Sequence, residues 1–91
     1  MAVIKNLWNQ PTGLGVHASE YYRAVGAKLV RDKVLRDIDY YNFCALSEHY
    51  EFYRHEMNAM QKTGNPDPET FERYQAAFQN YCKLCTYFGL L

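Results

Sequence analysis

The sequence predicts an all-α protein in which a short N-terminal helix precedes a long antiparallel helical hairpin that oligomerises. Two stretches carry apolar or aromatic residues at alternating intervals of three and four, which places each set on one narrow helical face. A turn separates the stretches, because Gly64 suits the left-handed end of a helix and Asn65-Pro66 cannot continue one. The two sets are Phe43, Leu46, Tyr50, Tyr53, Met57 and Met60, and then Phe71, Tyr74, Phe78, Tyr81, Cys85 and Phe88.

The width of these apolar stripes predicts association between copies. Two antiparallel helices cover each other along one side only, and further apolar residues (Tyr41, Phe52, Ala77, Leu84 and Tyr87) flank the stripes. A chain of 91 residues has a marginal core, and such small domains commonly need disulfides, metals or association. The predicted oligomerisation residues are Phe43, Leu46, Tyr50, Tyr53, Met57, Phe71, Tyr74, Phe78, Tyr81 and Phe88.

Composition and turn signals divide the chain into an arm and one helical domain. Residues 1–16 contain Pro11 and two glycines and show no sustained period, which predicts an extended arm. Its apolar residues Val3, Ile4, Leu7 and Trp8 are available to dock on a neighbouring surface. Residues 17–91 form the helical domain, with predicted helices over about 17–32, 37–61 and 68–88.

Local signals support these helix boundaries. Asp67 is suited to cap the third helix, with Pro68 at its first position. Asp37 or Asp39 complements the positive end of the second helix dipole. A glycine inside a helix costs about 1 kcal/mol relative to alanine, so we expect close packing at Gly26, with a second backbone passing close by.

Charge is divided along the chain, although the formal net charge is zero. Residues 1–36 hold six basic and two acidic residues, a net +4, and residues 37–91 hold four basic and eight acidic residues, a net −4. Repeating the chain around an axis would gather the basic segments, which could then bind DNA phosphates without reading bases. A solvated face with no ligand is the alternative. The candidate DNA-binding residues are Arg23, Lys28, Arg31, Lys33 and Arg36.

The motif inventory indicates neither an enzyme nor a metal or cofactor site. Cys82 and Cys85 form a Cys-x-x-Cys pair at the end of a helix, which favours packing in the core over a zinc half-site or a redox pair. His49 and His55 lie six residues apart on different helical faces, so they cannot chelate one ion. The carboxylates expected to be solvated are Glu48, Glu51, Glu56, Glu69 and Glu72.

Cysteine usage and hydropathy predict a cytoplasmic protein, in the host cytoplasm if it is viral. Three cysteines without dense spacing do not suggest a secreted disulfide scaffold, and residues 1–15 have no apolar run resembling a signal peptide. No stretch approaches the roughly 20 apolar residues that span a bilayer, so we expect no membrane association.

One series of positions extends from the first helix to the end of the chain: Tyr21-Tyr22, Leu29, Leu35, Asp39, Phe43, Tyr50, Tyr53, Gly64 and Phe88-Gly89-Leu90. Over residues 18–90 this order resembles the small subunit of tailed-phage terminases. The resemblance implies a non-enzymatic DNA-packaging factor that forms a ring and binds double-stranded DNA. It further implies delivery of that DNA to the large terminase subunit, which carries the ATPase and nuclease.

Two other interpretations remain open on the sequence. The first is a helical interaction or regulatory module that dimerises through the hairpin and does not bind DNA. The second is an α-helical metal or redox protein that uses Cys82 and Cys85. Mass in solution, DNA retention and thiol or zinc analysis distinguish the three.

Overall fold

The computed structural model describes residues 2–65 and 67–90, with the Thr63 side chain excepted. It contains three α-helices, α1 (Val16–Arg31), α2 (Tyr40–Thr63) and α3 (Pro68–Tyr87), and a 3₁₀ turn at Asp37–Asp39 before α2. Within the described residues there is no β-strand, and strand-like pairing is limited to one antiparallel bridge between Val3 and Arg36. The predicted all-α class, with a short helix before a hairpin, is confirmed.

The turn between α2 and α3 follows the predicted signals. Gly64 has φ 67°, the left-handed conformation expected after a helix. The Asp67 carboxylate accepts a hydrogen bond from the Thr70 backbone N–H at 2.8 Å, and Pro68 is the first residue of α3. The predicted second helix differs at its start, where residues 37–39 form a 3₁₀ turn.

The core lies at the end of the hairpin farthest from this turn. There α1 packs on α2 and reaches α3 through Tyr21, whose hydroxyl lies 3.8 Å from the Cys85 sulfur. Since α1 has 16 residues and α2 has 24, they are roughly 24 and 36 Å long, so α1 covers only part of the hairpin. The core residues are Ile4, Tyr21, Tyr22, Leu29, Leu35, Phe43, Leu46, Cys85 and Phe88.

The N-terminal arm docks on helices of its own chain. The Ile4 N–H donates to the Leu35 carbonyl at 2.8 Å, and the Tyr22 hydroxyl donates to the Trp8 carbonyl at 2.7 Å. Leu7 lies over Gly26, where an added Cβ would come within 2.9 Å of the Leu7 methyl carbons. The close packing expected at Gly26 is confirmed, and side chains rather than a second backbone make it.

Glu51 is partly buried, and the expectation that it would be solvated is wrong. Its side chain is only 15% exposed, and its carboxylate accepts a hydrogen bond from the Ala18 N–H at 3.0 Å. Gly15 precedes α1 and has no side chain with which to cap it, so Glu51 of α2 performs that role. A Cβ on Gly15 would overlap this carboxylate.

Candidate nucleic-acid interface and assembly surface

The outer face of α1 carries three of the candidate DNA-binding residues, Arg23, Lys28 and Arg31. All three are exposed and lie on the side of α1 away from the buried Tyr22 and Leu29. Eight residues separate Arg23 from Arg31, a rise of roughly 12 Å. The three cations therefore form one cationic face along α1, on which Glu20 is an exposed acidic residue.

Ion pairs within the chain partly neutralise this face. The Lys28 ammonium lies 2.8 Å from Asp32 and the Arg31 guanidinium lies 3.8 Å from the same carboxylate. The Lys28 hydrogen bond is the main reason that the pKa of Asp32 is lowered. Exposed pairs of this kind are weak and easily exchanged, so both cations remain available to a phosphate.

Lys33 occupies a backbone conformation that is unusual for lysine. It has φ 60° and is the one non-glycine residue with positive φ among those described. The helix end requires this geometry, since the Lys33 N–H donates to the Val30 carbonyl and the Val34 N–H to the Leu29 carbonyl, each at 3.0 Å. Glycine is the usual residue at such a position. No carboxylate within the described chain pairs with Lys33 or Arg23.

Arg36 connects the start of α2 to the end of α3 through Asp39. Its guanidinium donates to the Asp39 carboxylate at 2.9 and 3.4 Å, and the Tyr87 hydroxyl donates to the same carboxylate at 2.7 Å. Asp39 is only 3% exposed, and Arg36 is the main cause of the lowered pKa of its carboxyl group. Arg36 therefore stabilises the protomer, and its half-exposed side chain is less free than the others to bind a ligand.

The five candidates are thus grouped at the α1 side of the molecule and in the turn that follows it. The docked arm adds Lys5, which lines a surface pocket with Val3 and Lys33. A second pocket of about 430 Å³ is also lined by Val3 and Lys33, together with Arg36. Lys5 could not be predicted as part of this site, because nothing in the sequence shows where the arm docks on the helices.

The predicted oligomerisation residues fall into groups that differ in burial. Phe43, Leu46 and Phe88 belong to the core of the protomer. Five members of the set are partly buried: Tyr50, Tyr53, Met57, Tyr74 and Tyr81. Between the helices, the Tyr53 ring stacks on the Tyr81 ring at a centroid distance of 5.6 Å. Phe71 and Phe78 are 44% and 41% exposed. Within the protomer, these two phenylalanines are the members of the set that remain exposed to a partner.

Other apolar residues on the hairpin are also exposed. Tyr41 and Phe52 on α2 are 83% and 63% exposed, and Tyr87 on α3 is more than half exposed. Phe52 borders a depression of about 280 Å³ between α2 and α3, which we call the lateral groove. It is lined by His49, Phe52, Glu56, Arg73, Ala76, Ala77 and Asn80.

Two tyrosines beneath these surfaces, Tyr21 and Tyr81, stay neutral at physiological pH. Burial raises the pKa of Tyr21 and Tyr81, whose hydroxyls lie 3.1 Å apart beside Cys85. Burial also raises the pKa of the Cys44 thiol, which disfavours the reactive thiolate. Cys85 is buried in the core and Cys82 is partly buried. The described residues contain no cluster of three or more histidine, cysteine or acidic side chains that could hold a metal ion.

Comparisons with protein-family models, with curated proteins and with solved structures find no match for this chain. In the described part of the chain, every helix falls short of the length and apolarity that crossing a membrane requires.

Proposed function

We propose that this protein is the small subunit of a tailed-phage terminase, acting in the host cytoplasm as a non-enzymatic packaging factor. It binds viral double-stranded DNA, assembles into a ring and delivers the DNA to the large ATPase and nuclease subunit. One observation carries the proposal: the exposed cations of α1 and the exposed phenylalanines Phe71 and Phe78 of α3 occupy different parts of one protomer. Such a protomer can bind a polyanion and another copy of itself at the same time.

The cationic face of α1, extended by Lys33 and Lys5, supports DNA binding. Its residues are exposed, and their intramolecular ion pairs are of the weak, solvent-exposed kind. Contacts of lysine and arginine with phosphates position a protein on a duplex without reading sequence. Several copies around an axis would multiply these contacts, which compensates for the small number of cations on each.

The exposed aromatic residues of the hairpin support assembly. Phe52, Phe71, Phe78 and Tyr41 each leave more than two fifths of their surface in water. Burying a phenylalanine side chain is worth roughly 1.5–3 kcal/mol. Phe71 and Phe78 are already more than half buried, so their further burial contributes part of that value each, while the interhelical contacts of the hairpin keep each protomer folded.

One observation favours the alternative, a helical module that dimerises through the hairpin and does not bind DNA. Three of the five candidate cations, Lys28, Arg31 and Arg36, already pair with Asp32 or Asp39. This pairing lowers the local positive potential that would attract DNA. Under the alternative, the cations stabilise the protomer and have no external ligand.

The two functions are separated by solution mass and by salt-dependent DNA affinity. The proposal predicts a discrete assembly by light scattering and a duplex affinity that falls steeply between about 50 and 200 mM salt. The Arg23→Ala/Arg31→Ala variant should weaken DNA binding and reduce the slope of log K against log salt by about 1.8 per protomer engaged. Lys62→Ala/Lys83→Ala is the matched control, because it removes two exposed cations from the hairpin instead.

Equal DNA affinity for the two double variants would show that the α1 face is not the contact surface. A wild-type protein that runs as a dimer and retains no duplex at low salt would support the alternative function.

A further inference from the structure

Phe71 and Phe78 belong to an apolar stripe on α3, and α1 covers the other end of that stripe. Cys85, Phe78 and Phe71 lie at intervals of seven on α3, so they share one face of that helix. Tyr21 of α1 contacts Cys85, which is 2% exposed. Phe78 and Phe71 lie nearer the hairpin turn, at and beyond the start of α1, and both are exposed. We call these two residues the aromatic ridge.

The position at which α1 begins explains why α1 covers Cys85 but not Phe78 or Phe71. Val16 is the first residue of α1, and Glu51 of α2 caps that end through the Ala18 N–H. Tyr53, two residues further along α2, contacts Phe78 at a ring-centroid distance of 5.3 Å. Phe78 therefore lies level with the beginning of α1, and Phe71 lies about 10 Å beyond it. Nothing within residues 2–65 and 67–90 covers the ridge as Tyr21 covers Cys85.

The lateral groove lies on the opposite side of the hairpin from the aromatic ridge. Asn80, which lines the groove, follows Phe78 by two residues and is therefore about 200° around α3 from it. The small residues Ala76 and Ala77 line the groove, as does the exposed ring of Phe52. One side of the hairpin thus presents two bulky rings, and the other presents a depression with small residues.

The charges on the two sides are complementary. α1 lies on the side of the ridge and carries Arg23, Lys28 and Arg31, with Glu20 as an exposed acidic residue of the same helix. The side of the groove carries Glu56 and Glu69, with Arg73 as its compensating cation. Opposite potentials on the two sides favour the approach of the groove side of one copy to the ridge side of another. They disfavour the pairing of two ridge sides.

We propose that the aromatic ridge of one copy docks in the lateral groove of a second copy of this chain. The contact is heterologous, because each copy uses two different surfaces, and repetition closes a ring or extends a filament. A ridge-to-ridge dimer would instead leave the groove and Phe52 exposed. This inference rests on the assembly part of the proposed function and is independent of DNA binding.

Mixing two variants tests the contact. Phe71→Glu/Phe78→Glu removes the ridge and keeps the groove, whereas Ala76→Arg/Asn80→Arg fills the groove and keeps the ridge. Each variant alone should run as a monomer of 10.7 kDa by light scattering. An equal mixture should give a one-to-one pair of twice that mass and nothing larger, because only one competent contact can form.

Controls distinguish a lost contact from a lost fold. Gln79→Arg/Thr86→Arg adds the same charge to exposed positions of α3 outside the ridge and groove, and it should assemble as wild type does. If circular dichroism shows that the glutamate variant has lost helix, Phe71→Gln/Phe78→Gln replaces it. Duplex binding is measured on every sample as a separate readout.

Three results would overturn the inference. A groove variant that assembles like wild type, or a mixture that stays monomeric, would refute the contact while leaving the proposed function in place. A wild-type chain that is monomeric at high concentration would refute both the contact and the assembly part of the proposed function.

Discussion

Lys33 offers a test in which stability and DNA binding are expected to change in opposite directions. A left-handed conformation costs a residue with a Cβ roughly 1–2 kcal/mol, and Lys33 adopts it at φ 60°. Replacement by glycine removes that cost but adds unfolded-state entropy worth roughly 0.4–1 kcal/mol. Lys33→Gly should therefore stabilise the protein by about 0.5–1 kcal/mol.

Lys33→Ala is the matched control for this prediction. Alanine also lacks the charge but retains the Cβ, so its stability should stay close to that of wild type. A change of 1 kcal/mol moves the Tm of a domain of this size by roughly 4–8 °C. Thermal unfolding followed by circular dichroism should place Lys33→Gly about 2–8 °C above Lys33→Ala.

The same two variants report on the proposed DNA surface. Both remove one cation, so both should lower duplex affinity equally and reduce the salt slope by about 0.9. A Tm for Lys33→Gly at or below that of Lys33→Ala would refute the reasoning about backbone strain. Unchanged affinity in both variants would remove Lys33 from the DNA surface.

Two further predictions concern carboxylates that accept hydrogen bonds within the protomer. Glu51→Ala leaves the Ala18 N–H without its cap and should lower the free energy of unfolding, measured with urea, by about 1 kcal/mol. An equal loss in the exposed control Glu48→Ala would contradict this role. The pKa of the Asp39 carboxyl group is lowered in the folded state. The ionised carboxylate therefore stabilises the fold at pH values above its unfolded pKa of about 3.9. This stabilisation is lost as the pH falls through the pKa of the folded state. Asp39→Asn should therefore be less stable than wild type at pH 7, and the difference should shrink below about pH 4; a constant difference across that range would contradict the assignment.

The helices could be predicted from the sequence because their signals are local. The three-and-four spacing, the Asp67 cap with Pro68, and Gly64 each act within one or two turns of chain. The first turn of the predicted second helix was the exception. There Asp39 is held by Arg36 and by Tyr87, which lies 48 residues away.

The site was less predictable, since it depends on contacts between distant residues. Charge alone identified Arg23 and Lys33, but it could not show that Arg36 would be engaged by a buried carboxylate. Glu51 was assigned to solvent by its helical position, although the start of α1 draws it inward. The docking of the arm brought Lys5 to the same side of the molecule, and neither period nor composition encodes that docking.

The predicted assembly residues illustrate the same limit. Periodicity selects every side chain on the apolar face of a helix, but it does not show how much of that face the same chain covers. Phe43 and Phe88 belong to the core of the protomer, whereas Phe71 lies beyond the start of α1 and is exposed. The length of α1 therefore determines which part of the stripe is left for another molecule.

The cap that Glu51 supplies to α1 has a consequence for folding. The carboxylate and the amide that it binds are 33 residues apart, and Gly15 offers no local substitute. A short helix is marginal in water without tertiary support, so the first turn of α1 depends on α2 being in place. Folding of the N-terminal third is thereby coupled to the hairpin, and the chain gains cooperativity that no single helix could provide.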